Sequence, residues 1–128
     1  MLLYITLGSN DLARSRTFYD AALAPLGLKC LVAKDDEIGY GIGGDHRQCR
    51  LWIVLPYLKL PATWGNGTLL ALKAPTRTSV DGFYNAAMQN GGIDEGKPGP
   101  RPYSADFYAS YVRDPDGNKL SAVCESQG

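Results

Sequence analysis

Phe18-Tyr19-Asp20-Ala21-Ala22-Leu23 is answered 65 residues later by Phe83-Tyr84-Asn85-Ala86-Ala87-Met88, and this pairing decides how the chain is read. Carried outward without a gap, the same register sets Ile5-Thr6-Leu7 on Leu70-Ala71-Leu72, and Gly27-Leu28 on Gly92-Ile93. The repeat therefore takes in a strand-like run, a helix and the helix exit. Two unrelated amphipathic helices can look alike by themselves, but a strand and a Gly in the same register favour a duplicated unit. A duplicated unit places function where its two copies face each other.

Working outward, Met1 to Leu7 is apolar and reads as a strand buried on at least one face. Gly8-Ser9-Asn10-Asp11 breaks it and offers helix caps. Leu12, Tyr19, Ala22, Leu23 and Leu26 then fall on one helical face. Pro25 and Gly27 end that helix near Ala24. Leu28 to Ala33, Ile38 to Ile42 and Cys49 to Leu55 read as three short strands. Pro56 to Asn66 is an irregular connection whose Tyr57, Leu58, Leu60 and Trp64 need cover. From Gly67 to Ala74 the pattern restarts with a strand. Thr78 with Asp81 resembles a capping box, and Val80, Phe83, Tyr84, Ala87 and Met88 form a helical face stopped by Gly91-Gly92. The Gly- and Pro-rich run Gly96 to Pro102 leads to a strand over Asp106 to Arg113. Asp114-Pro115-Asp116-Gly117-Asn118 turns it into a returning strand, Lys119 to Cys124.

The order is strand, helix, three strands, twice over. Each half is too small to bury its own sheet face, so the expectation is an α+β fold in which two sheets curl around something shared. The chain of 128 residues is one domain's length, with module one over 1–56, the connection over 56–66 and module two over 67–125. Thirteen basic and thirteen acidic residues give zero formal net charge, which argues against nucleic acid or an anionic membrane as partner. Cys30, Cys49 and Cys124 are odd in number and widely spaced, which fits reduced thiols in the cytoplasm. No apolar stretch approaches membrane-spanning length.

Thr6-Leu7-Gly8, Asp11-Leu12, Arg14-Ser15-Arg16, Phe18-Tyr19 and above all Asp114-Pro115-Asp116-Gly117-Asn118 resemble the glyoxalase, bleomycin-resistance and extradiol-dioxygenase superfamily, the vicinal oxygen chelate proteins. The resemblance runs from about Leu3 to Glu125. It implies two βαβββ modules forming an open, barrel-like mixed sheet around one cavity, and often a homodimer. It also implies a divalent metal held by His or Gln on a first strand and Glu on a last strand. Inward-facing imidazole and carboxylate would leave open positions for substrate oxygens.

The positions that the resemblance assigns to those ligands are Tyr4, Leu69 and Ser121. Phenol and hydroxyl are poor ligands at neutral pH, and Leu69 has no donor. The expectation is therefore no metal cofactor, with a divalent ion remaining possible only through other ligands. His46 beside Asp45 reads as solvated surface, as does the turn Asp35-Asp36-Glu37. Cys124 reads as buried and inert, and Gly39 to Gly44 lacks the Lys and helix of a phosphate loop. Tyr4, Trp52 or Ile53, Leu69, Tyr111 and Ser121 would instead line an apolar, aromatic pocket, or simply fill the barrel. Arg101, Tyr103, Tyr108 and Arg113 border it, and one Arg there suits a carboxylate or phosphate. Three readings follow: a metal-free protein binding a small organic molecule, an enzyme resembling glyoxalases or dioxygenases that has non-standard metal ligands or no metal and uses Tyr4 and Ser121 as hydrogen-bonding or proton-transfer groups, and an interaction protein with a filled barrel.

Overall fold

In the computed structural model, which describes residues 1–127, strand β1 covers Ile5–Gly8 and ends at Ser9-Asn10. The Asp11 carboxylate accepts the Arg14 amide at 3.0 Å and so caps helix α1, Leu12–Leu23. That pairs one of the amides a helix start leaves without a partner. Pro25 lies in a 3₁₀ turn, Ala24–Leu26, and Gly27 closes it at φ 82°. A residue without a Cβ takes that left-handed geometry at least cost. Strands β2 (Lys29–Ala33), β3 (Glu37–Gly41) and β4 (Leu51–Val54) complete the first unit. The second runs β5 (Leu70–Lys73), α2 (Arg77–Gln89), β6 (Ile93–Pro100), β7 (Tyr108–Arg113) and β8 (Lys119–Cys124).

The result is two mixed four-stranded sheets, ordered β1-β4-β3-β2 and β5-β8-β7-β6. In each, the first strand lies parallel to the last, and the other pairings are antiparallel. Ile5 opposes Leu51 just as Leu70 opposes Leu120. The repeat offset is thus 65 at the first strands and 69 at the last. These are two βαβββ modules of an α+β fold, with open sheets and no closed barrel.

Several local expectations shift. Strand β1 begins at Ile5, not Met1, and β5 at Leu70, not Gly67. The cap of α2 is Thr76, whose hydroxyl accepts the Ser79 amide at 3.0 Å, while Thr78 sits inside the first turn. Most of the Gly- and Pro-rich run is not a lead-in but belongs to the edge strand β6. An edge tolerates Pro98 and Pro100 because it has a side that owes no ladder hydrogen bonds. Two register shifts in its pairing with β7 absorb the irregularity.

One face of each sheet packs on the helices in a common core. Ile38, Leu51 and Ile53 meet it from the first sheet, and Val112, Leu120 and Ala122 from the second. Between them α1 and α2 supply Phe18, Tyr19, Ala22, Leu23, Val80, Phe83 and Ala87, all without exposed surface. Phe18 lies outside the stripe that periodicity picks for α1. It is buried because α1 packs on both its own sheet and α2, so more than one stripe is covered.

The modules are fastened through the Asp114–Asn118 turn. Buried Asp114 accepts the Tyr19 phenol at 2.5 Å, the Asn118 side-chain amide at 2.9 Å, and the backbone amides of Asp116 and Asn118 at 2.9 Å each. Asn118 also donates to the Gly8 carbonyl at 3.1 Å. Asp116 accepts Arg14 at 2.8 Å, the Asn10 amide at 2.9 Å and the Ser15 hydroxyl at 3.1 Å. Burial raises the Asp114 carboxyl above its ordinary pKa even against these donors. Burial first, and the Asp114 charge second, lift the Tyr19 phenol well above its own. Tyr19→Phe keeps the ring and removes the donor, so urea unfolding should show a loss of about 1–3 kcal/mol. An unchanged midpoint would mean that the phenol contributes nothing to holding the turn.

Candidate functional site

Pleating sends alternate side chains of each strand to the face opposite the helices. On the first sheet this outer face carries Tyr4 and Thr6 at β1, Trp52 and Val54 on β4, and Glu37 on β3. Thr6 pairs with Trp52, and Glu37 with Val54. Together with Leu3, Cys49 and Arg50 they enclose an open cleft of about 560 Å³. Trp52 can lie over β3 because its register partner there is Gly39. A Cβ on Gly39 would come within 2.7 Å of the indole ring and of the Cys49 sulfur. Tyr4 stays 51% exposed, an unusual degree for an aromatic ring beside an apolar face.

On the second sheet the outer face carries Leu69 and Ala71 at β5, Lys119, Ser121 and Val123 on β8, and Ala109, Tyr111 and Arg113 on β7. Ser121 lies between Ala71 and Tyr111 in register. It has no exposed surface, and its hydroxyl has no hydrogen-bond partner. Tyr111 packs beside Gly96, where a Cβ would stand 3.0 Å from its ring. The Arg101 guanidinium lies 5.4 Å from the Tyr111 ring centre and the Lys119 ammonium 5.8 Å from it. Arg101 donates to the carbonyls of Lys97, Gly99 and Pro100 at 2.7–3.1 Å.

The structure thus brings Tyr4 and Trp52 together on one face, and Arg101, Tyr111 and Ser121 together on the other, with Leu69 at β5 of that second sheet. Tyr103 stays 72% exposed and packs edge-on against Phe107. Tyr108 points to the core side, where its hydroxyl donates to Asp81 at 2.7 Å. Arg113 pairs with Glu95 and lies over the Trp64 ring. His46 is exposed in a 3₁₀ turn, as the sequence suggests, but that turn edges the first cleft. Arg47 grips Asp45 there and holds its carboxyl below the usual range. Of the connection, Trp64 finds partial cover, while Tyr57, Leu58 and Leu60 remain exposed.

Sequence reasoning missed Arg50 and Lys119. Arg50 immediately precedes β4 and Lys119 opens β8, and they are repeat partners at the offset of the last strands. A ruler fixed at the first-strand offset does not find them.

The ligand positions do not fit a divalent ion. Tyr4 stands on one sheet, Leu69 and Ser121 on the other, and among the described residues no three His, Cys, Asp or Glu side chains are grouped to hold one. The donor set at those positions is a phenol, a hydroxyl and a hydrocarbon.

The model of the Glyoxalase/Bleomycin resistance protein/Dioxygenase superfamily matches residues 1–121. The chain belongs to this superfamily. No curated protein matches it. Among solved structures it is similar to a glyoxalase/bleomycin resistance protein from Albidiferax ferrireducens T118, with 36% identity, 97% of this chain and 98% of that one covered, and a TM-score of 0.85. It is also similar to a glyoxalase/bleomycin resistance protein/dioxygenase family enzyme from Burkholderia phytofirmans PsJN, at 17% identity, 98% coverage of both chains and a TM-score of 0.72, which bears on the fold alone. Glyoxalase I from Zea mays matches 96% of this chain and 45% of its own, at 26% identity and a TM-score of 0.68.

The unpartnered Ser121 hydroxyl makes a direct prediction about stability. Ser121→Ala should leave the thermal midpoint unchanged or raise it, because a buried hydroxyl without a partner stabilises nothing. A loss of more than about 1 kcal/mol would show that the hydroxyl has a structural partner after all.

Proposed function

We propose that this superfamily member binds a small organic molecule between the outer faces of its sheets, without a divalent metal, and does so as a homodimer. The observation that carries the reading is the open cleft walled by Tyr4 and Trp52 on a sheet face that the chain's own helices do not cover. Ring faces, a few hydroxyls and a concave shape are what a small-molecule site needs. The side chains at the metal positions supply hydrogen bonds and apolar surface, which suits binding more than metal chemistry.

A second copy is the natural cover for the remaining surface. Leu3, Tyr4 and Leu69 are 66%, 51% and 45% exposed, and Tyr57, Leu58 and Leu60 in the connection are 93%, 74% and 65% exposed. Exposed apolar side chains at these places support a contact site there. The three free cysteines suit a reducing, cytoplasmic setting. No helix among the described residues is long and apolar enough to cross a membrane.

Sedimentation equilibrium should return twice the 13.8 kDa mass of the chain; a monomer at working concentration overturns the dimer. A neutral aromatic probe, 1-naphthol, should bind and quench tryptophan emission, and Trp52→Ala should weaken it roughly tenfold. Equal affinity in that variant would remove the cleft from the proposal. Combining Tyr4→His, Leu69→His and Ser121→Glu supplies imidazole and carboxylate from both outer faces. Zinc uptake by this variant, with none by the parent protein, is the result expected if the faces meet in the assembly. A folded triple variant that takes up no zinc counts against their meeting.

A further inference from the structure

We infer that the molecule bound on the outer face of the second sheet carries an oxyanion, a carboxylate or a phosphate, received by Arg101, Lys119 and Ser121 around Tyr111. The inference rests on the reading that the outer faces bind a small molecule, and it names the chemistry of that molecule.

Thirteen Lys and Arg side chains balance thirteen Asp and Glu over the whole chain, and five of those cations are ion-paired among the described residues. The ion pairs found among the described residues join Arg14, Arg16, Lys34, His46, Arg47 and Arg113 to carboxylates. Neither Arg101 nor Lys119 is among them. Both nonetheless converge on one ring, at 5.4 and 5.8 Å from its centre. Two cations drawn to one ring repel each other, and the ring's quadrupole offsets only part of that cost. An anion beside them relieves the repulsion outright.

The mount is fixed in advance. Three backbone carbonyls hold the Arg101 guanidinium, so it is ordered before any ligand arrives, and donors remain free on it. Gly96 leaves room for the guanidinium, since a Cβ there would lie 3.3 Å from its nitrogen. The Ser121 hydroxyl supplies an independent observation: it is fully buried, unpartnered and next to Tyr111 in register. A buried donor without an acceptor is costly, and a ligand oxygen would satisfy it. The one other cation on this face of β7, Arg113, is already engaged by Glu95. The first cleft offers a weaker case, because Glu37 shares it with Arg50.

The test compares 1-naphthoate, 1-naphthyl phosphate, 1-naphthamide and 1-naphthol by calorimetry on the full-length protein. At least one anion should bind roughly tenfold or more tightly than the amide, and which anion does so separates carboxylate from phosphate. That preference should fall to near parity in Lys119→Gln and in Arg101→Gln, and return in Lys119→Arg. Because Arg101 also fastens its hairpin, the Lys119 pair carries the test should Arg101→Gln fail to fold. Equal binding of the amide and both anions overturns the oxyanion but leaves the cavity standing. Anion preference that survives in Lys119→Gln overturns the assignment to this cluster. Failure of all four probes, the neutral ones included, overturns the cavity as well.

Discussion

Asp114 is a carboxyl group with no surface in contact with water, and the arrangement of the modules depends on how it is satisfied. Burying such a group is costly unless donors surround it. Three of its donors come from its own turn, and the fourth, the Tyr19 phenol, comes from the helix of the other module. The balance is narrow, since burial still lifts the carboxyl's pKa against all of them. Removing the partner across the modules therefore tips it. Asp116 and Asn118 repeat the tie, to the start of α1 and to the end of β1. With these bonds made, α1 and α2 are held side by side, and each sheet is left with one face inward and one free.

Two free faces built on one backbone plan have diverged in chemistry. Tyr4 on the first corresponds to Leu69 on the second, Arg50 to Lys119, and Trp52 to Ser121. The first face presents rings and room, with Gly39 cleared so that an indole can lie over its strand. The second presents a single ring between cations and an idle hydroxyl. Duplication supplied the scaffold twice, and the side chains at equivalent positions then took unlike parts. At the positions that the resemblance assigns to metal ligands stand Tyr4 on the first face and Leu69 and Ser121 on the second, none of them an imidazole or a carboxylate.

Much of the fold was legible because it rests on periodicity and turn chemistry. The repeat of Phe-Tyr-x-Ala-Ala gave both helices, and Val80, Phe83 and Ala87 lie buried as their spacing implies. What periodicity could not show is contact beyond one face: Phe18 is buried by a second neighbour, not by its own sheet alone. The β6 strand was hidden because Pro98 and Pro100 argue against a strand in the middle of a sheet, and only its place at the edge makes them admissible. In the site, Tyr111 could be read from strand alternation and Tyr4 from the resemblance, while the choice between Trp52 and Ile53 is made only by the fold, which buries Ile53 in the core. Arg101 could be placed beside the pocket, but Arg50 and Lys119 could not, since they correspond only once the extra residues of the second module are counted. That Asp114 to Asn118 is more than a turn was invisible for a similar reason, because its partners are about a hundred residues away.

The irregular β6 has a consequence for assembly. A sheet margin with unpaired amides and carbonyls is a template on which another chain can add a strand, and chains that stack this way grow without limit. Here the margin at β6 is broken by two prolines and by register shifts, and the opposite sheet's margin at β2 has a shift of its own between Cys30 and Val32. These two rims are poor templates for strand addition, and the other two margins, β1 and β5, are only four residues long each. Strand addition at the margins, the route to open-ended fibre growth, is thereby disfavoured.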